Sequence, residues 1–177
     1  MAPKTCGIGV IVSLLISILG LGTTFEQPKF EIGLEGQWLL SAGDNYEWKL
    51  PEFHAEGWKT TQVPAAWESQ GLTDYNGHGW YLYTFVVPKE WEKTAREFIL
   101  DMGQIDNEDV TYVNGQDVGS TSGWNVLRSY GIPKPLVKFG EKNVIVVRIY
   151  DRTSGGILRG PIKLRSGGVG RFDVEGY

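Results

Sequence analysis

The stretch WYLYTFVV, residues 80–87, decides the fold class. It is aromatic and β-branched almost throughout, and Pro88 stops it. Apolar side chains fall on both of its faces, so it reads as a central strand covered from above and below. Working outward, NVIVVRIYD (143–151) is a second strong strand, and EFILDMG (97–103) a third. DVTYVNGQDVGS (109–120) reads as a hairpin. Its turn is Asn114-Gly115, a pair that tolerates the positive φ of a type I′ turn. GQWLLS (36–41) and WKTTQV (58–63) are shorter strands, the latter ended by Pro64. GPIKLRS (160–166) and RFDVEG (171–176) read as closing strands, and KEWEKTAR (89–96) as a short helical turn.

About eight to ten short strands result, with no apolar period of 3.6 residues sustained enough for a major helix. Of the 177 residues, 24 are Gly, about twice the ordinary share of ~7%. The expected fold class is all-β, a two-sheet antiparallel β-sandwich of jelly-roll type.

Composition narrows function by exclusion. The net charge of −4 gives no basic stripe for nucleic acid. One Cys and two His make neither an internal disulfide nor a Cys/His zinc cluster. No cofactor is expected. Residues 7–22, GIGVIVSLLISILGLG, carry no charge and follow Lys4. They read as a signal peptide cleaved near Gly22–Thr23, which makes the protein secreted or periplasmic; an uncleaved N-terminal membrane anchor is the alternative. The expected organisation is a signal peptide over 1–22, a linker over 23–35 and one domain over 36–177.

No G-x-S-x-G elbow, H-E-x-x-H motif or P-loop is present. Glu68 and Glu108 are the best-placed carboxylates for glycoside hydrolysis. A small sandwich rarely encloses such a pair well enough to raise a pKa, so catalysis by this chain is not expected. Binding is better supplied. Sugar recognition needs flat aromatic surfaces plus a few amide, carboxylate or guanidinium groups. The loop 65–79 holds Trp67, Glu68, Tyr75 and His78; the segment 120–130 holds Trp124 and Arg128; the segment 151–159 holds Asp151, Arg152 and Arg159. The contact candidates are Trp67, Glu68, Tyr75, His78, Trp124 and Arg128. The other tryptophans lie at strand ends and read as packing residues. Asp106-Asn107-Glu108-Asp109 reads either as an acidic turn or as oxygen ligands for a structural Ca²⁺, and Arg148 as an ion-pair partner for one of these acids.

Three segments together carry a family resemblance: GWYLYTFVVPKEW (79–91), LDMGQIDNEDVTYVNGQDVGSTSGW (100–124) and RSYGIPKPLVKFGEKNVIVVRIYD (128–151). They resemble the galactose-binding-like, sugar-binding jelly-roll domain of glycoside hydrolase family 2 enzymes of the β-galactosidase type. The I-D-x-x-D-x-T-Y-V-N-G wording (105–115), with W-x-x-x-x-V-P-x-x-W-E-x-Q-G (58–71), is most similar to the jelly-roll insert of sialate O-acetylesterase-like proteins. The resemblance spans about residues 36–165. It implies an accessory role beside a polysaccharide-processing module. The chain has no catalytic barrel and no G-D-S block, so hydrolase activity does not carry over. The expected partners are a glycan or polysaccharide and, alternatively, a separate secreted hydrolase on which the domain docks.

Overall fold

The computed structural model describes residues 30–95 and 97–167. The signal segment, Arg96 and the strand expected at 171–176 lie outside them. Among the described residues, eleven strands form two antiparallel sheets, packed as a sandwich. In chain order they are β1 (Glu31–Gly33), β2 (Gly36–Ala42), β3 (Lys59–Val63), β4 (Ala65–Ala66), β5 (Gly77–Val86), β6 (Phe98–Asp106), β7 (Glu108–Val113), β8 (Gln116–Ser122), β9 (Leu127–Ile132), β10 (Lys142–Asp151) and β11 (Gly156–Ser166). The six-stranded sheet runs β3-β2-β5-β10-β7-β8. The five-stranded sheet runs β1-β11-β6-β9, with β4 also on β11. Short 3₁₀ turns fill some connections, including Lys89–Lys93 where the helical turn is expected.

The central reading of 80–87 holds. β5 lies between β2 and β10, and Trp80, Tyr81 and Leu82 are all buried. The period of two sends Tyr81 inward, where it joins Trp38, Leu100, Ile145, Val147, Ile149 and Ile157 between the sheets. Each such large apolar side chain contributes about 1.5–3 kcal/mol when fully buried. Trp80 and Leu82 point the other way and join Tyr112, Val144 and Val146 on the outer face of the six-stranded sheet. That face is not left to solvent. The connection between β2 and β3 crosses it as a strap, laying Trp48, Phe53, Ala55 and Trp58 over the outward apolar residues. The Asn114-Gly115 turn has φ of 48° and 85°, both positive, as the hairpin reading requires.

Three segments differ from expectation. The stretch assigned to a linker supplies β1 and the fully buried Leu34, because Glu31–Gly33 pairs with Lys163–Arg165 at the sheet edge. Residues 127–130, within the segment 120–130 expected to be a loop, belong to β9. Residues 156–159, also read as loop, begin β11.

The register fixes two poles. At one, Phe98 pairs with Ser166 and Ile132, and Ser166 N–H donates to Phe30 O at 2.8 Å. At the other lie Gly77 opposite Asp151, Glu108 opposite Ser122, and the turn carrying Trp124. The described ends of the domain meet at the first pole. Every contact candidate read from the sequence lies toward the second.

Candidate functional site

Of the six candidates, two belong to the interior. Trp67 is 0% exposed. Its ring is held between Gly79 and Gly155, where a Cβ would come within 2.3 and 2.2 Å of ring carbons, and it meets Tyr75 edge-on. The expected contact role is corrected by this burial, since the indole offers no face to a ligand. Arg128 is 1% exposed and likewise leaves the contact list. It lies on β9 with its side chain inward. Nε donates to Asp109 Oδ1 at 2.9 Å, Nη1 to the carbonyls of Gly123 and Val126, and Nη2 to Asn107 O at 3.0 Å. Asp109 also accepts from Thr111 Oγ1 at 3.0 Å and from the Tyr130 hydroxyl at 2.7 Å. Burial pushes the Asp109 carboxyl up, while these three donors pull it back.

Three more candidates act as ties between loops. Glu68 is half-buried, and its Oε1 accepts from Gly155 N–H at 2.9 Å. The Tyr75 hydroxyl accepts from Gly43 N–H at 3.0 Å and donates to His78 O at 2.8 Å. His78 packs its ring against Tyr150, with centroids 4.7 Å apart, and its Nε2 lies 2.6 Å from Arg148 Nη2. An arginine is always a donor, so Nε2 is the acceptor and the proton of neutral His78 is on Nδ1. Nδ1 is 3.7 Å from Asp44 Oδ2. Burial first, and then the Arg148 charge, holds the His78 pKa below its ordinary 6.5.

Arg148 does not pair with the 106–109 acids. It makes a two-pronged bond to Asp44, Nε to Oδ1 and Nη2 to Oδ2, both at 2.7 Å. Trp80 Nε1 donates to the same carboxylate at 3.0 Å. Asp44 is therefore held below the usual carboxylate range, chiefly by the Arg148 hydrogen bonds. The acidic turn is otherwise engaged. Asn107 donates to Asp151, and Asp109 faces inward. Among the described residues no group of three or more His, Cys, Asp or Glu is arranged to hold a metal ion.

Trp124 alone of the six carries a large exposed ring, 64% accessible, with Val126 and Leu127 exposed beside it. The carbonyls of Gly123 and Val126 are the ones that Arg128 grips from below, so the buried guanidinium shapes the turn that presents Trp124. Next to this turn, the outer face of the six-stranded sheet has an open depression of about 280 Å³ bordered by Glu108, Ser120, Ser122, Arg148 and Tyr150. It continues into another of about 300 Å³ beside Gly123 and Arg152. Glu68 is tied to Gly155 instead, so the two glutamates named as a carboxylate pair serve different places.

No protein-family model matches the chain. It is 27% identical over 161 residues to a β-galactosidase of Arthrobacter sp. (strain B7), covering 89% of this chain and 15% of that protein. The chain resembles one portion of a much longer hydrolase. Among solved structures, a β-glucuronidase of Bacteroides uniformis superposes with a TM-score of 0.69 at 22% identity, over 78% of this chain and 18% of that one. A β-glucuronidase from glycoside hydrolase family 2 does so with a TM-score of 0.68 at 19% identity, over 78% and 18%. At these identities the superpositions show the fold, and the chain spans less than a fifth of the length of each of these three proteins.

Proposed function

We propose that this chain is a non-catalytic β-sandwich accessory domain, of the sugar-binding jelly-roll kind attached to glycoside hydrolase family 2 enzymes, and that it works in glycan processing by contacting glycan. The observation that carries the reading is the extent of the match. Similarity runs through 89% of this chain and only 15% of the β-galactosidase, so what is shared is one sandwich. The open surfaces support a binding role over catalysis, because both depressions are shallow and the Asp109 carboxylate next to Glu108 is buried and committed to Arg128. Export through residues 1–22 would place the domain with extracellular or periplasmic glycan.

The test is a glycan array and calorimetric titration with the full chain, alongside assays on aryl-glycosides and aryl-acetates. Binding without turnover is expected. Turnover abolished by Glu68→Gln would overturn the non-catalytic part, and retention of no glycan at millimolar concentration would overturn the binding part.

A second reading has its own observation. Trp124, Val126 and Leu127 expose adjacent apolar side chains on one turn, a feature that suits protein docking as well as sugar stacking. Docking on a separate secreted hydrolase predicts that such an enzyme co-purifies with the exported chain and is lost on Leu127→Asp.

A further inference from the structure

The outer face of the six-stranded sheet holds side chains that the fold leaves unused. Glu108, Ser120, Ser122 and Arg152 border the two joined depressions, and none makes a side-chain hydrogen bond or ion pair among the described residues. Arg148 commits Nε and Nη2 to Asp44 and His78 and lays its guanidinium over the Tyr46 ring, which leaves Nη1 without a hydrogen-bond acceptor among the described residues. Tyr150 stands in the floor, braced by His78 on one flank and with the Arg152 guanidinium 5.8 Å from its ring centroid. The braced groups are rigid and the unpaired ones are within reach of a ligand, the arrangement that keeps the ordering cost of binding low.

The chemistry of this surface is mixed. The Arg148 charge is matched by Asp44, and Glu108 and Arg152, though not paired with each other, bring one charge of each sign to the same depression. A charge-neutral surface with a carboxylate acceptor, two hydroxyls and guanidinium donors suits a ligand whose own groups both donate and accept. Vicinal hydroxyls do so. Each depression is at the small end of ligand clefts, which run about 300–1,000 Å³, so the ligand is short. Resting on the glycan-contacting reading above, we propose that the face built from Glu108, Ser120, Ser122, Arg148, Tyr150 and Arg152 is the saccharide site, and that it takes a neutral mono- or disaccharide with Trp124 at its rim. The 65–79 loop is then a support and not a contact.

The test is protein-observed NMR of the full chain, titrated with lactose, cellobiose and chitobiose, with inorganic phosphate as the anion control. At least one disaccharide should move the amide signals of Ser120, Ser122 and Tyr150. Glu108→Ala should weaken that binding by about tenfold or more, the loss expected for one charge-assisted hydrogen bond, and the groove-filling Ser122→Trp should weaken it at least as much by occupying the depression, both with the thermal midpoint unchanged. Wild-type binding that survives in both variants would overturn the site while sparing the glycan reading. Phosphate moving the same signals with equal affinity would overturn the neutral ligand class. Silence with all three saccharides would remove the site, and silence across a full glycan array would remove the reading beneath it.

Discussion

Arg128 shows how one side chain can look like a ligand contact and be a strut. Its guanidinium is sealed from solvent and bonded to one carboxylate and three carbonyls. Such a pair is expensive to break, because removing one partner leaves a buried charge uncompensated. Arg128→Met is expected to cost about 3–5 kcal/mol in urea unfolding, with any loss of saccharide affinity following from the loosened 123–126 turn. A loss of affinity with no loss of stability would return Arg128 to the contact surface. The signal for its burial is in the sequence. Arg128, Tyr130 and Ile132 alternate with Ser129 and Gly131, the period of a half-buried strand, and the charge at the first position conceals it. Trp67 left no comparable trace. Its burial depends on Gly79 and Gly155, which meet the ring from distant parts of the chain, and no local pattern reports that.

At the scale of elements, the strap between β2 and β3 matters most. The double-sided apolar character of β5 announces that something covers its outer face, and the structure shows what does. Trp48 packs edge-on against both Trp58 and Trp80, with centroids 5.1 and 5.8 Å away. The strap begins at Asp44, clamped by Arg148 and Trp80. Trp48→Ala should cost about 2–4 kcal/mol, shifted down from the ~3–5 kcal/mol of a fully buried tryptophan because the ring is partly exposed. Chemical denaturation measures the loss, and a change under 1 kcal/mol would show that the strap is not part of the folded unit. The strands over 80–87, 97–103, 109–120 and 143–151 were legible because each carries period-two or doubly apolar patterning between turn residues. β1 was not, since three residues beside a Pro-containing approach carry too little pattern to separate a strand from a linker.

For the molecule as a whole, acidity bears on the same clamp. His78 has a depressed pKa in the folded state, so between that value and 6.5 the unfolded chain binds more protons. Stability therefore falls as pH drops through this window. Asp44, also depressed, adds stability that is complete above 3.8 and is lost as pH falls through its folded value. The thermal midpoint should decline from pH 7 toward pH 5.5, and His78→Gln should flatten that decline. An equal slope in the variant would place the sensitivity elsewhere.

The meeting of the described ends has a mechanical consequence. Phe30 and Ser166 are hydrogen-bonded neighbours, and the antiparallel β1 and β11 run together away from them. Tension applied at these two ends pulls the strands apart like a zipper. Ladder bonds are then loaded one after another, with no row of them sharing the force. The domain is expected to yield from that pole inward, with the turn carrying Trp124 at the opposite pole loaded last.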